Sequence, residues 1–220
     1  MFKGVLFDLD GVITNTAEFH YQAWKKLAAD LGFKIDRKVN EQLKGVSRVD
    51  SLKFLLKLGG LENSFNEIEF VELAQRKNDY YLEMIATITP EDIFPGIKAL
   101  LTELKDHQVK IALASASKNG PLLLDKMNLM DYFDAIADPS LIKHGKPAPD
   151  IFLLAAHEIG ISPTECIGIE DARAGITAIK ASNALPIGIG SQDELGDDLV
   201  SVNETSLLTY ELLEQAWSRK

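Results

Sequence analysis

Cysteine is almost absent. Cys166 is the only one in 220 residues, so no internal disulfide can brace the chain. It sits in an apolar, strand-like run, where a lone thiol reads as a small core residue. Long hydrophobic runs are missing too. No stretch reaches the roughly 18 apolar residues of a membrane span, and none resembles a signal peptide, so no membrane partner and a cytoplasmic protein are expected. Positive charge is in the minority: 23 Lys and Arg against 33 Asp and Glu leave a net charge of −10. That balance argues against nucleic acid or an anionic membrane surface as a partner. It still admits a small phosphorylated molecule, provided basic residues gather at one place. Internal repeats, low-complexity tracts and blocks of like charge do not occur. What remains, 46% hydrophobic and 25% charged residues, suits one large domain or two modest ones, and a monomer is expected.

The most informative stretch is Lys3-Gly-Val-Leu-Phe-Asp8-Leu-Asp10-Gly11-Val-Ile-Thr14. A short apolar run ends in two carboxylates spaced i, i+2. On a strand that spacing turns both acids to one face, and Gly11 lets the chain turn sharply behind them. Two acids held together attract a metal cation or raise one pKa, which suits a nucleophilic carboxylate beside an acid/base carboxylate. Taken alone, such a pair is more often a solvated turn. A calcium loop does not fit, because Gly11 comes too early for the EF-hand pattern.

From about Thr16 to Ile88 the apolar period is helical. Ala17, Tyr21, Trp24, Ala28 and Leu31 form one stripe, with Asn15 and Glu18 placed as a capping pair. A second helix is predicted from Ser47 to Gly59-Gly60, carrying Leu52, Leu55 and Leu56. A third is predicted from Asn66, with Phe70, Leu73, Ala74, Tyr81 and Met84 inward. From Ile93 strands and helices alternate. The runs Val109–Ala114, Phe133–Ala137, Cys166–Ile169 and Leu185–Ile189 read as strands, and 121–129, 150–159 and 173–182 as helices. The fold class expected is α/β: a Rossmann-like parallel sheet with helices on both faces, plus an inserted α-helical cap domain. Residues 1-14 and 94-220 would form the catalytic core, and 15-93 the cap. Ligands of open parallel sheets sit beyond the carboxyl ends of the strands, and three polar clusters fall there: Asp8 with Asp10, Ser115 to Asn119, and Glu170 with Asp171.

Four motifs follow in this order between residues 8 and 176: Asp8-Leu-Asp10-Gly11-Val-Ile, Ser115-Ala-Ser, Lys146-Pro-Ala-Pro-Asp150 and Glu170-Asp171-Ala-Arg-Ala-Gly175-Ile. The chain resembles the haloacid dehalogenase-like phosphotransferase superfamily through them. Within it, His20 and Trp24, Lys44-Gly45-Val46-Ser47-Arg48, Gln75-Arg76-Lys77-Asn78-Asp79 and Ala112–Gly120 resemble the sugar-phosphate mutases. The resemblance implies Asp8 as nucleophile, forming an aspartyl phosphate, and Asp10 as general acid/base. It implies Mg²⁺ held by Asp8, Glu170, Asp171 and the main-chain carbonyl of Asp10, with Lys146 and Ser115 contacting the phosphoryl group. It places Thr16, His20, Trp24, Lys44, Gly45, Val46, Arg48, Ser51 and Lys77 from the cap, and Ala116, Ser117, Lys118 and Asn119 from the core, around a phosphosugar. The implied reaction interconverts β-D-glucose 1-phosphate and D-glucose 6-phosphate through β-D-glucose 1,6-bisphosphate.

Two of these residues carry weight of their own. His20 and Lys77 both project from largely apolar helix faces, and a lysine is rarely buried unless paired, so Lys77 points to a polar cleft. A core histidine is about as ordinary as a functional one. Relatives commonly carry an acid where this chain has Asn15; asparagine caps about as well, so the cap is expected to survive. The Lys146-Pro147 bond is open to either isomer. A sugar-phosphate phosphatase on the same scaffold, and a non-catalytic phosphometabolite-binding module, stay open as alternatives.

Overall fold

The computed structural model describes residues 1–220. Strand β1 (Gly4–Phe7) is followed by four helices, α1 (Thr16–Asp30), α2 (Arg37–Glu41), α3 (Arg48–Leu58) and α4 (Glu67–Ile85). The chain then alternates: α5 (Ile97–Asp106), β2 (Lys110–Leu113), α6 (Gly120–Lys126), β3 (Ala135–Ile136), α7 (Asp150–Glu158), β4 (Cys166–Glu170), α8 (Arg173–Ala181), β5 (Leu185–Ile189), α9 (Gln192–Leu195), β6 (Val200–Val202) and α10 (Tyr210–Ser218). All six strands are parallel, in the order β3-β2-β1-β4-β5-β6. β1 lies inside the sheet, with Gly4–Phe7 in register with Lys110–Leu113 on one side and Cys166–Ile169 on the other.

The period of two decides which face each strand residue serves. Val5, Phe7, Ile111, Leu113, Ile167 and Ile169 enter one apolar core with α5, α6 and α10. Leu6, Ala112, Ala114 and Cys166 enter the other with α7 and α8. Small residues on this second face let the helices come close: a Cβ on Gly168 would stand 2.6 Å from Ile179. Both faces being covered, the strands read as continuous apolar runs.

The inserted helices have a core of their own, in which Tyr21, Trp24 and Leu27 of α1 meet Leu52, Leu55 and Leu56 of α3 and Leu73 of α4. α3 starts at Ser47, whose side chain accepts from the Asp50 amide, and α4 starts in a reciprocal Asn66–Glu69 capping box. The Asn15 cap is a correction. Asn15 precedes α1 at φ −81°, ψ 47°, makes no side-chain cap bond and is exposed. An N-cap needs an extended backbone to aim its side chain at the first amides, and this residue is not extended. Glu18 turns instead to Gln22 and Arg37.

Two strands of chain join the insertion to the sheet, and they run side by side. Thr14 bridges Ile93, the Phe94 amide donates to the Ile13 carbonyl at 2.9 Å, and the Thr14 hydroxyl donates to the Asp92 carbonyl at 2.8 Å. α2, α5, α9, α10 and β6 are not among the expected elements: α2, α9 and β6 are too short to show a period, whereas α5 and α10 carry short apolar stripes, Ile97, Leu100, Leu101 and Leu104 in one and Tyr210, Leu213 and Ala216 in the other. No helix is long and apolar enough to cross a membrane.

Candidate active site

The carboxyl ends of β1, β2 and β4 meet under the inserted helices, around a cavity of about 590 Å³. Asp8 and Asp10 both line it, but from past the end of β1 rather than from the strand itself. The chain folds there into a tight turn in which the amides of Val12 and Ile13 donate to the Leu9 carbonyl. Gly11 closes it at φ +88°, and a Cβ there would stand 2.1 Å from Oδ2 of Asp171. Glycine is thus required twice, for its backbone angle and for the approach of a carboxylate.

Lys146 arrives on the loop between β3 and α7, ahead of a cis bond to Pro147. Its Nζ donates to Asp8 Oδ1 at 2.6 Å and to Glu170 Oε2 at 2.7 Å, with all three side chains buried. The second Glu170 oxygen, Oε1, accepts from the Ala172 amide at 3.1 Å. Glu170 can sit this close to α8 because residue 175 has no side chain: a Cβ there would stand 2.0 Å from Oε2. Burial, then the neighbouring charge of Glu170, lifts the Asp8 carboxyl to about 7 against the pull of Lys146. Burial, then the charges of Glu170 and Asp8, push Asp171 well above the carboxylate range. Burial opposes the charge on Lys146, yet Asp8 and Glu170 hold its pKa above the usual lysine value.

Asp8, Glu170 and Asp171 bring ligand oxygens within 4.8 Å of one another. Three carboxylates around one ammonium leave the place short of positive charge, and hard oxygens suit a small divalent cation. The donor set and the space that Gly11 leaves for Asp171 fit such an ion.

Asp10 belongs to a second group. Its Oδ1 accepts from Thr16 Oγ1 at 2.5 Å and lies 3.5 Å from Nε2 of His20. Nδ1 of His20 in turn meets Lys77 Nζ at 2.6 Å. Burial works to raise the Asp10 carboxyl, but His20, Thr16 and Lys77 together hold it below its usual range. Lys77 is 2% exposed with no carboxylate partner, set over the rings of Trp24 and Tyr81. Burial first, then the charge of Arg48, brings it down to about 7. Burial, then Lys77, lowers His20. The polar cleft that a buried lysine pointed to is therefore present.

Trp24, Lys44, Gly45, Val46, Arg48 and Ser51 line the cavity from the insertion, and Ala116, Ser117 and Lys118 from the core. Four of the expected residues stand behind the wall instead. Thr16 holds Asp10, and Glu170 holds Lys146. Asn119 donates through Nδ2 to Asn78 on α4 at 3.0 Å. Ser115 Oγ accepts the Ser117 amide at 3.1 Å, which leaves its own proton free to donate. The sequence did not single out Ser47, Gln75, Ser140 or Lys143 for the wall, nor the Asn78 contact. Ser47, Gln75 and Asn78 lie inside the motifs that carry the resemblance, which was the signal available for them, whereas Ser140 and Lys143 lie outside every motif.

A parallel sheet with helices on both faces, an inserted helical layer, and acids plus a lysine at the strand ends define an α/β protein of carboxylate-centred chemistry. A haloacid dehalogenase-like hydrolase family model matches residues 2–183, and the chain belongs to that family. It is 49% identical to the β-phosphoglucomutase of Bacillus subtilis over 99% of this chain and 96% of that one. The structure of β-phosphoglucomutase from Clostridium difficile superposes with a TM-score of 0.97 at 45% identity, covering 100% of this chain and 98% of the other. The fructose-1-phosphate phosphatase YqaB of Escherichia coli is 29% identical over 82% of this chain and 93% of its own.

Proposed function

We propose that this chain is a phosphomutase that interconverts β-D-glucose 1-phosphate and D-glucose 6-phosphate through an aspartyl-phosphate enzyme. The observation that carries the reading is one cavity lined both by Asp8 with its partner Lys146 and by further cations, Arg48 and Lys118. A phosphatase needs the first pair alone. A mutase must hold a second phosphate while the first reacts, and a bidentate guanidinium with an ammonium suits that task. The 49% identity to a β-phosphoglucomutase favours this over the phosphatase reading, whose relative stands at 29%.

Asp8 attacks phosphorus through a carboxylate oxygen, and the P–O bond to the sugar breaks. Asp10 gives its proton to the departing sugar oxygen, and takes one back from the sugar hydroxyl that attacks the aspartyl phosphate in return. β-D-glucose 1,6-bisphosphate is the intermediate, and it must turn so that its other phosphate meets Asp8. Lys146 and the Ser115 hydroxyl offset charge on the phosphoryl oxygens. Mg²⁺ held by Asp8, Glu170, Asp171 and the Asp10 carbonyl would supply the charge that lets a carboxylate approach a phosphate dianion. Thr16, His20 and Lys77 orient Asp10. Trp24, Lys44, Gly45, Val46, Ser51, Ala116, Ser117 and Asn119 shape the sugar and distal-phosphate sites.

Residues 15-93 act as a cap over the core formed by 1-14 and 94-220. The paired linkers at Thr14 and Ile93 support a hinge there, and closure would keep water from the aspartyl phosphate.

Trapping the phosphoenzyme tests this assignment. Acid-quenched protein given a radiolabelled bisphosphate should carry label on Asp8, and Asp8→Asn should carry none. Asp10→Asn should turn over at least about a hundredfold more slowly, with Mg²⁺ binding kept. Near-parental turnover in Asp10→Asn would remove its role.

A further inference from the structure

Tyr81 lies on α4 one helical turn after Lys77, so the two side chains share a face. It is fully buried and does not reach the cavity. Its ring stacks on His20, with centroids 4.0 Å apart and planes inclined by 24°. The ring alone would be packing. The hydroxyl is a different matter: it makes no hydrogen bond of good geometry, although the side chains of Asp10, Thr16 and Ser117 stand close enough to interact with it. A phenylalanine would fill the same space without the cost of desolvating an unpartnered O–H. Buried polar groups are nearly always bonded, so one left over points to a partner that arrives in another arrangement of the site.

The acid/base reading of Asp10 requires this carboxylate to reach a sugar oxygen, and here its Oδ1 is held by Thr16, with His20 close behind. We propose that Tyr81 is a positioning residue for Asp10: its O–H becomes the carboxylate's donor when Asp10 turns toward a bound phosphosugar, and its ring keeps His20 in line. This rests on the acid/base reading of Asp10. Burial and the charge of Asp10 hold the phenol well above its usual pKa, so it stays a donor through the neutral range. Tyr81 touches neither the sugar nor the reacting atoms and acts only through Asp10.

Tyr81→Phe removes the hydroxyl and keeps the ring. It should fold at least as stably as the parent in urea, lose about tenfold in kcat and keep KM within about twofold. Tyr81→Leu, which loses the ring as well, should fall further in kcat. A Tyr81→Phe enzyme with parental kcat would overturn the proposal. So would a loss confined to KM, or a loss of stability in step with kcat, because the hydroxyl would then serve binding or folding. The parent, assayed alongside, separates the two levels: if it fails to isomerise the phosphosugar, the functional reading falls and the proposal falls with it.

Discussion

Single residues set the geometry of the acids. Gly175 has an effect that no propensity scale shows, because Glu170 occupies the space of its missing side chain. Gly175→Ala should displace Glu170, destabilise the fold by about 1–3 kcal/mol and weaken Mg²⁺ binding, as read by urea titration with and without the metal. An unchanged midpoint and metal affinity would refute the packing argument. Lys77 makes a prediction about pH. Its pKa of about 7 in the folded protein lies below the ordinary lysine value of 10.5. Between these values the unfolded chain binds a proton that the folded one lacks, so this residue makes stability rise with pH across that window. Its burial therefore costs most at and below pH 7. Lys77→Met should be the more stable protein there, by an amount of order a few kcal/mol, and the gain should shrink toward pH 10. Equal stabilities at every pH would show that Lys77 is solvated. The sequence made Lys77 legible, because a lysine in line with Phe70, Ala74 and Tyr81 breaks an apolar stripe. It did not make the role of Gly175 legible, since the space a side chain would fill is a fact of packing.

At the scale of elements, most amphipathic segments and the central strands are readable because their periods persist, while the amphipathic α5 and α10 escape the sequence reading. α1, α3 and α4 begin where their stripes begin, and β2, β4 and β5 match their apolar runs to within a residue. The short α2, α9 and β6 were not readable. The three-residue β6 rests on its pairing with β5, a long-range contact with no local signal. Capping separates two asparagines that look alike in sequence. Asn66 accepts from the amides of Ile68 and Glu69, whereas Asn15 bonds no amide. Asn66→Ala should cost about 1 kcal/mol and Asn15→Ala close to none, measured by thermal or urea unfolding of the two variants. Equal losses would mean that Asn15 caps α1 after all.

The whole molecule brings three strand ends, a loop lysine and a separate helical layer to one cavity. The strand ends were legible, since polar clusters directly after apolar runs mark the carboxyl edge of a parallel sheet. The turn that carries Asp8 and Asp10 beyond β1 was not, because D-x-D spacing reads equally well as strand. Crowded acids at this edge imply that the metal stabilises the fold by binding it. Mg²⁺ should raise the melting temperature, EDTA should reverse the rise, and Asp171→Asn should abolish it; a variant that responds like the parent would exclude Asp171 from the ligand set. The central claim is that phosphate is moved within the sugar rather than released. The direct measurement incubates the protein with Mg²⁺, β-D-glucose 1-phosphate and a trace of the 1,6-bisphosphate, following glucose 6-phosphate and free phosphate together. Rapid formation of glucose 6-phosphate with little free phosphate is the expected result. Stoichiometric phosphate release without isomerisation would contradict it, leaving the Asp8 site in place and removing the second phosphate site at Arg48 and Lys118.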